Sequence, residues 1–151
     1  MTKAGENERK FSLLFNAKST GVSLLGKKRF VLDEVEITVD QSFEYEGNDY
    51  LVEIDSANMA KLLVGQYVLL NLLHTQKKPT YFLIIHTYKK YNPRRTIHNL
   101  NLVNQELLGG KGIPFGAIHI ESLADWCGNM DALLKLFYVP NNQTLTALRT
   151  T

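Results

Sequence analysis

The chain has a single cysteine, Cys127, in 151 residues. One thiol excludes an internal disulfide framework, and no Cys/His series has the spacing of a structural zinc site. Long hydrophobic runs are missing as well. No stretch reaches the roughly 18 uninterrupted apolar residues of a membrane span, and the opening MTKAGENERKFSLLF is polar, with too short an apolar run for a signal peptide. Internal repeats, linkers and low-complexity tracts are absent too. These gaps point to a soluble, cytoplasmic protein in a reducing setting, without membrane contact. The 44% hydrophobic content is enough, at this length, to bury one core without staples. Residues 1–140 are expected to form one domain, with 141–151 (NNQTLTALRTT) as a flexible tail.

A strong net charge is also lacking. The balance of +2 says little about partners, but its distribution says more. Between Phe30 and Ala60 there are nine acidic residues and no Lys or Arg, whereas Lys61 to Lys111 holds eight basic residues and one acid, Glu106. Carboxylates that gather a cation, flanked by cations that gather phosphates, would produce such blocks. Two solvated faces would also produce them, so position on the elements has to decide.

Residues 6–16 read as a helix, with Phe11, Leu14 and Phe15 at helical spacing after Asn7 as cap. From Arg29 to Asp40 the pattern is strand-like: Val35, Ile37 and Val39 alternate with Glu36, Thr38 and Asp40. A second strand, Phe43–Glu46, turns through Gly47 and Asn48 into a third, Tyr50–Asp55. Ser56 is the expected cap of a helix running from Ala57 to His74 that is apolar on nearly every side and therefore buried. Thr80–Tyr88 reads as a central strand, 97–108 as a helix, and Ile113–Ile120 as the last strand. A final helix spans Leu123 to Phe137, bent at Gly128, with Cys127 on its apolar stripe as an inert core thiol. The order is helix, three-strand meander, helix, strand, helix, strand, helix, which defines an α/β fold with a sheet flanked by helices.

In the third strand Glu53 and Asp55 are two apart, so both leave one face while Val52 and Ile54 pack on the other. Asp40 ends the neighbouring strand on its polar face, and the short hairpin returns the chain beside it. Three ionised carboxylates in one site repel each other unless a cation neutralises them. Hard oxygen ligands without Cys or His favour Mg²⁺ or Mn²⁺ over zinc.

The string VDQSFEYEGNDYLVEIDS resembles the signature of the PD-(D/E)XK nuclease superfamily, in which an Asp is followed, after a hairpin, by an acid, one apolar residue and usually Lys. Asp40 matches the first acid, Glu53 the second and Asp55 the usual Lys position. The likeness spans roughly residues 6–90 in element order, the αβββαβ core of the restriction-endonuclease-like fold with its mixed sheet. It implies a metal-dependent nuclease in which Asp40, Glu53 and the backbone carbonyl of Ile54 hold Mg²⁺ or Mn²⁺. Gln66, in GQYVLL, resembles a Gln on the following helix that approaches the metal or substrate in several branches, and Glu8 resembles a first-helix acid of others. The departures are Val39 in place of Pro and Asp55 in place of Lys. Asp55 would then be a second metal ligand or water positioner, and Lys61, about a turn and a half into the next helix, could return an ammonium to the site.

Outside this cluster, Lys89, Lys90, Arg94 and Arg95, with Tyr88 and Tyr91 interleaved, are the candidate nucleic-acid contacts, with Lys77 and Lys78 extending the track. Glu34, Glu36, Glu44 and Glu46 read as a solvated face. Tyr67 reads mainly as core, and His86 as a packed or hydrogen-bonded core residue. The combined expectation is an Mg²⁺-dependent endonuclease acting on DNA, as a homodimer or within a larger complex. Two alternatives stay open: a catalytically inactive nucleic-acid-binding subunit on the same fold, and a protein-interaction module without metal.

Overall fold

Every residue of the segment Thr80–His86 is buried, and the main sheet is organised around this strand. The computed structural model describes residues 5–58, 60–75, 77–142 and 145–149. In chain order the elements are α1 (Glu6–Lys18), β1 (Lys28–Leu32), β2 (Val35–Val39), β3 (Gln41–Tyr45), β4 (Asn48–Asp55), α2 (Ala60–Leu73), β5 (Thr80–His86), α3 (Pro93–Leu107), β6 (Phe115–His119), α4 (Met130–Leu136) and α5 (Leu145–Arg149).

The fold is α/β, with a mixed four-stranded sheet of order β3-β4-β5-β6 flanked by helices. β3 is antiparallel to β4, while β4, β5 and β6 run parallel. Right-handed crossovers that advance in one direction across a sheet place their helices on one face. Accordingly α2 and α3 both cover the face bearing Leu51, Phe82, Ile84 and Phe115. The opposite face carries Tyr50, Val52, Ile54, Leu83 and Ile85, and it is covered by α1 and α4 through Phe11, Phe15 and Leu134. On β4 the alternation continues past Leu51, so Glu53 and Asp55 face the α2 side.

The expected meander is corrected in its first strand. The segment Arg29–Asp40 is not one strand but a hairpin, β1-β2, which forms a separate two-stranded sheet and turns between Leu32 and Val35 with Asp33 in the left-handed region. Phe30 and Val39 pin the hairpin over α2, while Val31, Leu32 and Val35 stay exposed. The next turn falls at Glu46-Gly47, one residue earlier than expected. Both residues have positive φ, as a tight two-residue hairpin demands.

Helix boundaries shift for identifiable reasons. Gly5, not Asn7, precedes α1; the Asn7 amide instead donates to Ser56 Oγ at 2.8 Å, so Ser56 is engaged outside α2. α2 is amphipathic rather than buried all round: Leu63, Tyr67, Leu70 and Leu73 are buried, and Leu62, Leu69 and Leu72 are exposed. α3 starts four residues before the expected 97, because Asn92 caps it, accepting from the Arg94 amide at 3.0 Å, and Pro93 fits the first turn. The long last helix is in fact a 3₁₀ turn, Ile120–Leu123, then a break and α4, capped by Asn129. Cys127 lies in that break and is exposed, so it is not a core thiol. Within the segment expected as a tail, α5 places Leu145 fully in the core; residues 143–144 and 150–151 lie outside the described residues.

Gly128 causes the break. Its φ is +98°, and a Cβ there would collide with the carbonyl oxygen of Lys18 at the end of α1. Gly128→Ala is expected to cost about 3 kcal/mol, whereas Gly47→Ala, at φ +79° with open space around it, should cost about 1 kcal/mol. Urea midpoints compare the two, and equal losses would contradict the close approach.

Candidate functional site

Asp40 and Glu53 meet where β4 outruns β3. The β3-β4 pairing stops at Gln41↔Val52, which leaves the edge of β4 open at Ile54. Asp40, in the bend between β2 and β3, fills that gap: its Oδ2 accepts from the Ile54 amide at 2.8 Å. A short carboxylate thus takes the place of the missing strand partner. The N–H and C=O of one strand residue leave the same edge, so the Ile54 carbonyl is directed to the Asp40 side as well.

Glu53 projects from β4 to the α2 side and comes within hydrogen-bonding reach of Asp40. From α2, Gln66 Nε2 donates to Glu53 Oε2 at 2.6 Å. Burial raises the Asp40 carboxyl above its ordinary value, and its hydrogen bonds with Ile54 and Glu53 oppose that rise. Glu53 is pushed up to about 8, first by burial and then by the charge of Asp40, against the Gln66 hydrogen bond. Glu8 in the first turn of α1 raises Asp40 further through its charge, and Lys27 lowers it. Two clefts open beside the pair. One, of about 490 Å³, is lined by Glu53, Gln66 and the exposed Lys61; the other, of about 380 Å³, by Asp40, Glu8 and Lys27.

Asp55 does not join the pair. Its Oδ2 lies 3.1 Å from Nδ1 of the fully buried His86, its register partner on β5, and its Oδ1 accepts from the Ala57 amide at 3.5 Å. The expected three-carboxylate cluster is therefore a pair plus a separately anchored acid. Among the described residues no group of three or more His, Cys, Asp and Glu stands ready to hold a metal ion.

Behind Asp55 runs a polar chain that sequence reasoning missed. His86 Nε2 lies 2.8 Å from Thr96 Oγ1, which lies 3.0 Å from the Tyr91 hydroxyl, and the His86 and Tyr91 rings stack at 4.1 Å. His86 is the hydrogen-bonded core residue expected of it. Tyr91 is buried, so it is not an exposed ring for a nucleic acid. No local signal announces the chain, because it depends on the parallel register of β4 and β5. Tyr67 is core, with its hydroxyl donating to the Ile113 carbonyl at 2.6 Å.

The candidate cations divide between two ends. Lys89, Lys90, Arg94 and Arg95 are exposed in the loop and first turn that follow β5, at the same end of the parallel strands as Asp55. Lys78 binds Glu44 at 3.0 Å and Asp49 at 3.2 Å. Asp49 lies six residues back along β4, about 20 Å from Asp55, so Lys78 and its neighbour Lys77 do not extend the track.

No protein-family model matches the chain, and neither a curated protein nor a solved structure matches it.

A carboxyl that holds its proton more tightly when folded lets the folded state bind more protons than the unfolded chain, so stability falls as pH rises between the two values. Glu53 should therefore erode stability from about pH 4.5 to about 8 in metal-free buffer. Glu53→Gln is expected to remove that part of the slope in urea midpoints measured at about pH 5 and about pH 8. Identical slopes in the two proteins would contradict the assignment.

Proposed function

We propose that the protein is a metal-dependent nuclease that hydrolyses phosphodiester bonds in DNA. The observation that carries this reading is the Asp40–Glu53 pair, anchored on the Ile54 amide and on Gln66 at an open strand edge. Two acids crowded and partly desolvated disfavour joint ionisation, and a divalent cation is the partner that would relieve them. All-oxygen donors fit Mg²⁺ or Mn²⁺. Asp40, Glu53 and the Ile54 carbonyl would hold the ion. When bound, it would lower the pKa of a coordinated water and offset charge on the phosphodiester.

The remaining roles belong to the chain. Gln66 fixes the Glu53 rotamer. Asp55, held by His86, orients a water at the strand end, in the position where the superfamily usually has Lys. Lys61, exposed on the first turn of α2 beside Glu53, takes a phosphate oxygen. Lys89, Lys90 and Arg95 attract the backbone at long range. The restriction-endonuclease-like core is supported by the succession α1, β2, β3, β4, α2, β5 with Asp40 before β3 and Glu53 on β4. It departs from that pattern in β2, which pairs with β1 outside the main sheet.

A second reading, a binding subunit that does not cut, is favoured by one observation: Asp55 is tied to buried His86, and no Lys stands at its position. Incubation of plasmid and single-stranded DNA with Mg²⁺ or Mn²⁺ decides between them. The nuclease reading expects cleavage abolished by EDTA and reduced roughly a hundredfold or more in Asp40→Ala and Glu53→Ala, the scale of losing a group that stabilises transition-state charge. Cleavage unchanged in both variants would overturn the site, and metal-dependent binding without cleavage would favour the second reading.

A further inference from the structure

A cleft of about 610 Å³ lies between α3 and the segment from Lys135 to Asn141, apart from the carboxyl pair. Arg94 and His98 line one wall, on successive turns of α3, and Lys135 lines the other. None of the described residues lining it is an aspartate or glutamate. Its floor is apolar, with Ile97, Phe137 and Val139 buried. At the mouth stands Tyr138, 45% exposed, with the Arg94 guanidinium 5.2 Å from the ring centre. Tyr138 is not on a loose loop. Its backbone is bridged to Ala117 of β6 by two hydrogen bonds of 3.0 Å, so the ring is presented on a fixed support.

We propose that this cleft binds single-stranded nucleic acid, with Arg94 and Lys135 on phosphates and Tyr138 against a base. Cations in a cleft whose described lining holds no acid attract an anion, and an exposed ring beside them fits a ligand that carries flat faces next to its charges. A peptide of acidic residues alone would use the cations and leave the ring and the apolar floor unmatched. A duplex would offer phosphates but keep its bases stacked and out of reach of Tyr138. The first turn of α3 joins the cleft to the carboxyl-bearing end of the sheet. There Arg95 points the other way from Arg94, its Nη1 donating to Asn58 Oδ1 at 3.1 Å, three residues beyond Asp55. Such a path extends the nuclease reading and rests on its nucleic-acid half, not on cutting by the carboxyl pair.

The test is fluorescence anisotropy of the full chain with a labelled oligothymidylate of about 12 nucleotides in EDTA, across a salt series. Arg94→Glu combined with Lys135→Glu is expected to weaken binding about tenfold or more and to flatten the salt slope by about 1.4, two lost phosphate contacts on a single strand. Tyr138→Leu should weaken binding about fivefold or more without changing the slope. Arg94 and Lys135 are exposed, so the double variant should melt like the wild type; if it does not, Lys135→Glu alone carries the charge test. Binding and salt slope unchanged in the charge variants, Tyr138→Leu binding as the wild type does, equal affinity for a duplex, or equal competition by polyglutamate would each overturn the proposal. Binding without cleavage in Mg²⁺ or Mn²⁺ would sink the nuclease reading alone. Cleavage by a protein whose cleft variants bind normally would sink the cleft alone.

Discussion

The hydrogen bond from the Ile54 amide to the Asp40 carboxylate organises the site end of this protein. β3 is too short to pair the end of β4, and a buried strand edge left open there would cost a backbone hydrogen bond. Asp40 supplies the acceptor, and in doing so it is drawn down beside Glu53. The same contact sets the point at which the chain leaves the β1-β2 hairpin for the main sheet. Stability and candidate chemistry therefore meet at one interaction: burial first, and then the charge of the carboxylate that closes the sheet edge, make Glu53 hard to ionise.

The sheet imposes the remaining geometry. Parallel β4, β5 and β6 bring Asp55, His86 and His119 into register at their carboxyl ends, the end at which open α/β sheets gather ligands. Because β5 is buried on both faces, His86 must find its hydrogen bonds inside, and it finds them in Asp55 and Thr96. This engagement holds Asp55 apart from Asp40 and Glu53. The acid that strand alternation placed on the same face as Glu53 is thus assigned a different partner by a strand 31 residues away.

Much of this was legible in the residues. Alternation along β4 gave the faces of Glu53 and Asp55, and the apolar run 80–86 gave the central strand; Gln66 was pointed toward the acids only by the family resemblance of GQYVLL, with Tyr67 read mainly as core. Other features were written locally but weighed too lightly. Asn92-Pro93 is a cap followed by a first-turn proline, and Gly128 is a break rather than a bend. The rest could not be read along the chain. Period-two alternation in 29–40 does not say which strand pairs with which, so a separate hairpin looked like one long strand. The burial of Tyr91 and the exposure of Cys127 depend on contacts across elements that no spacing encodes.

The central claim is that Asp40 and Glu53 form one electrostatic unit built to accept a cation. Carbon-13 NMR titration of their side-chain carboxyls, first in EDTA and then with Mg²⁺, measures this directly. The account predicts that Glu53 titrates near 8 without metal and falls to or below the ordinary carboxylate range when Mg²⁺ is added. A Glu53 that titrates at its ordinary value of about 4.5 under both conditions would contradict it.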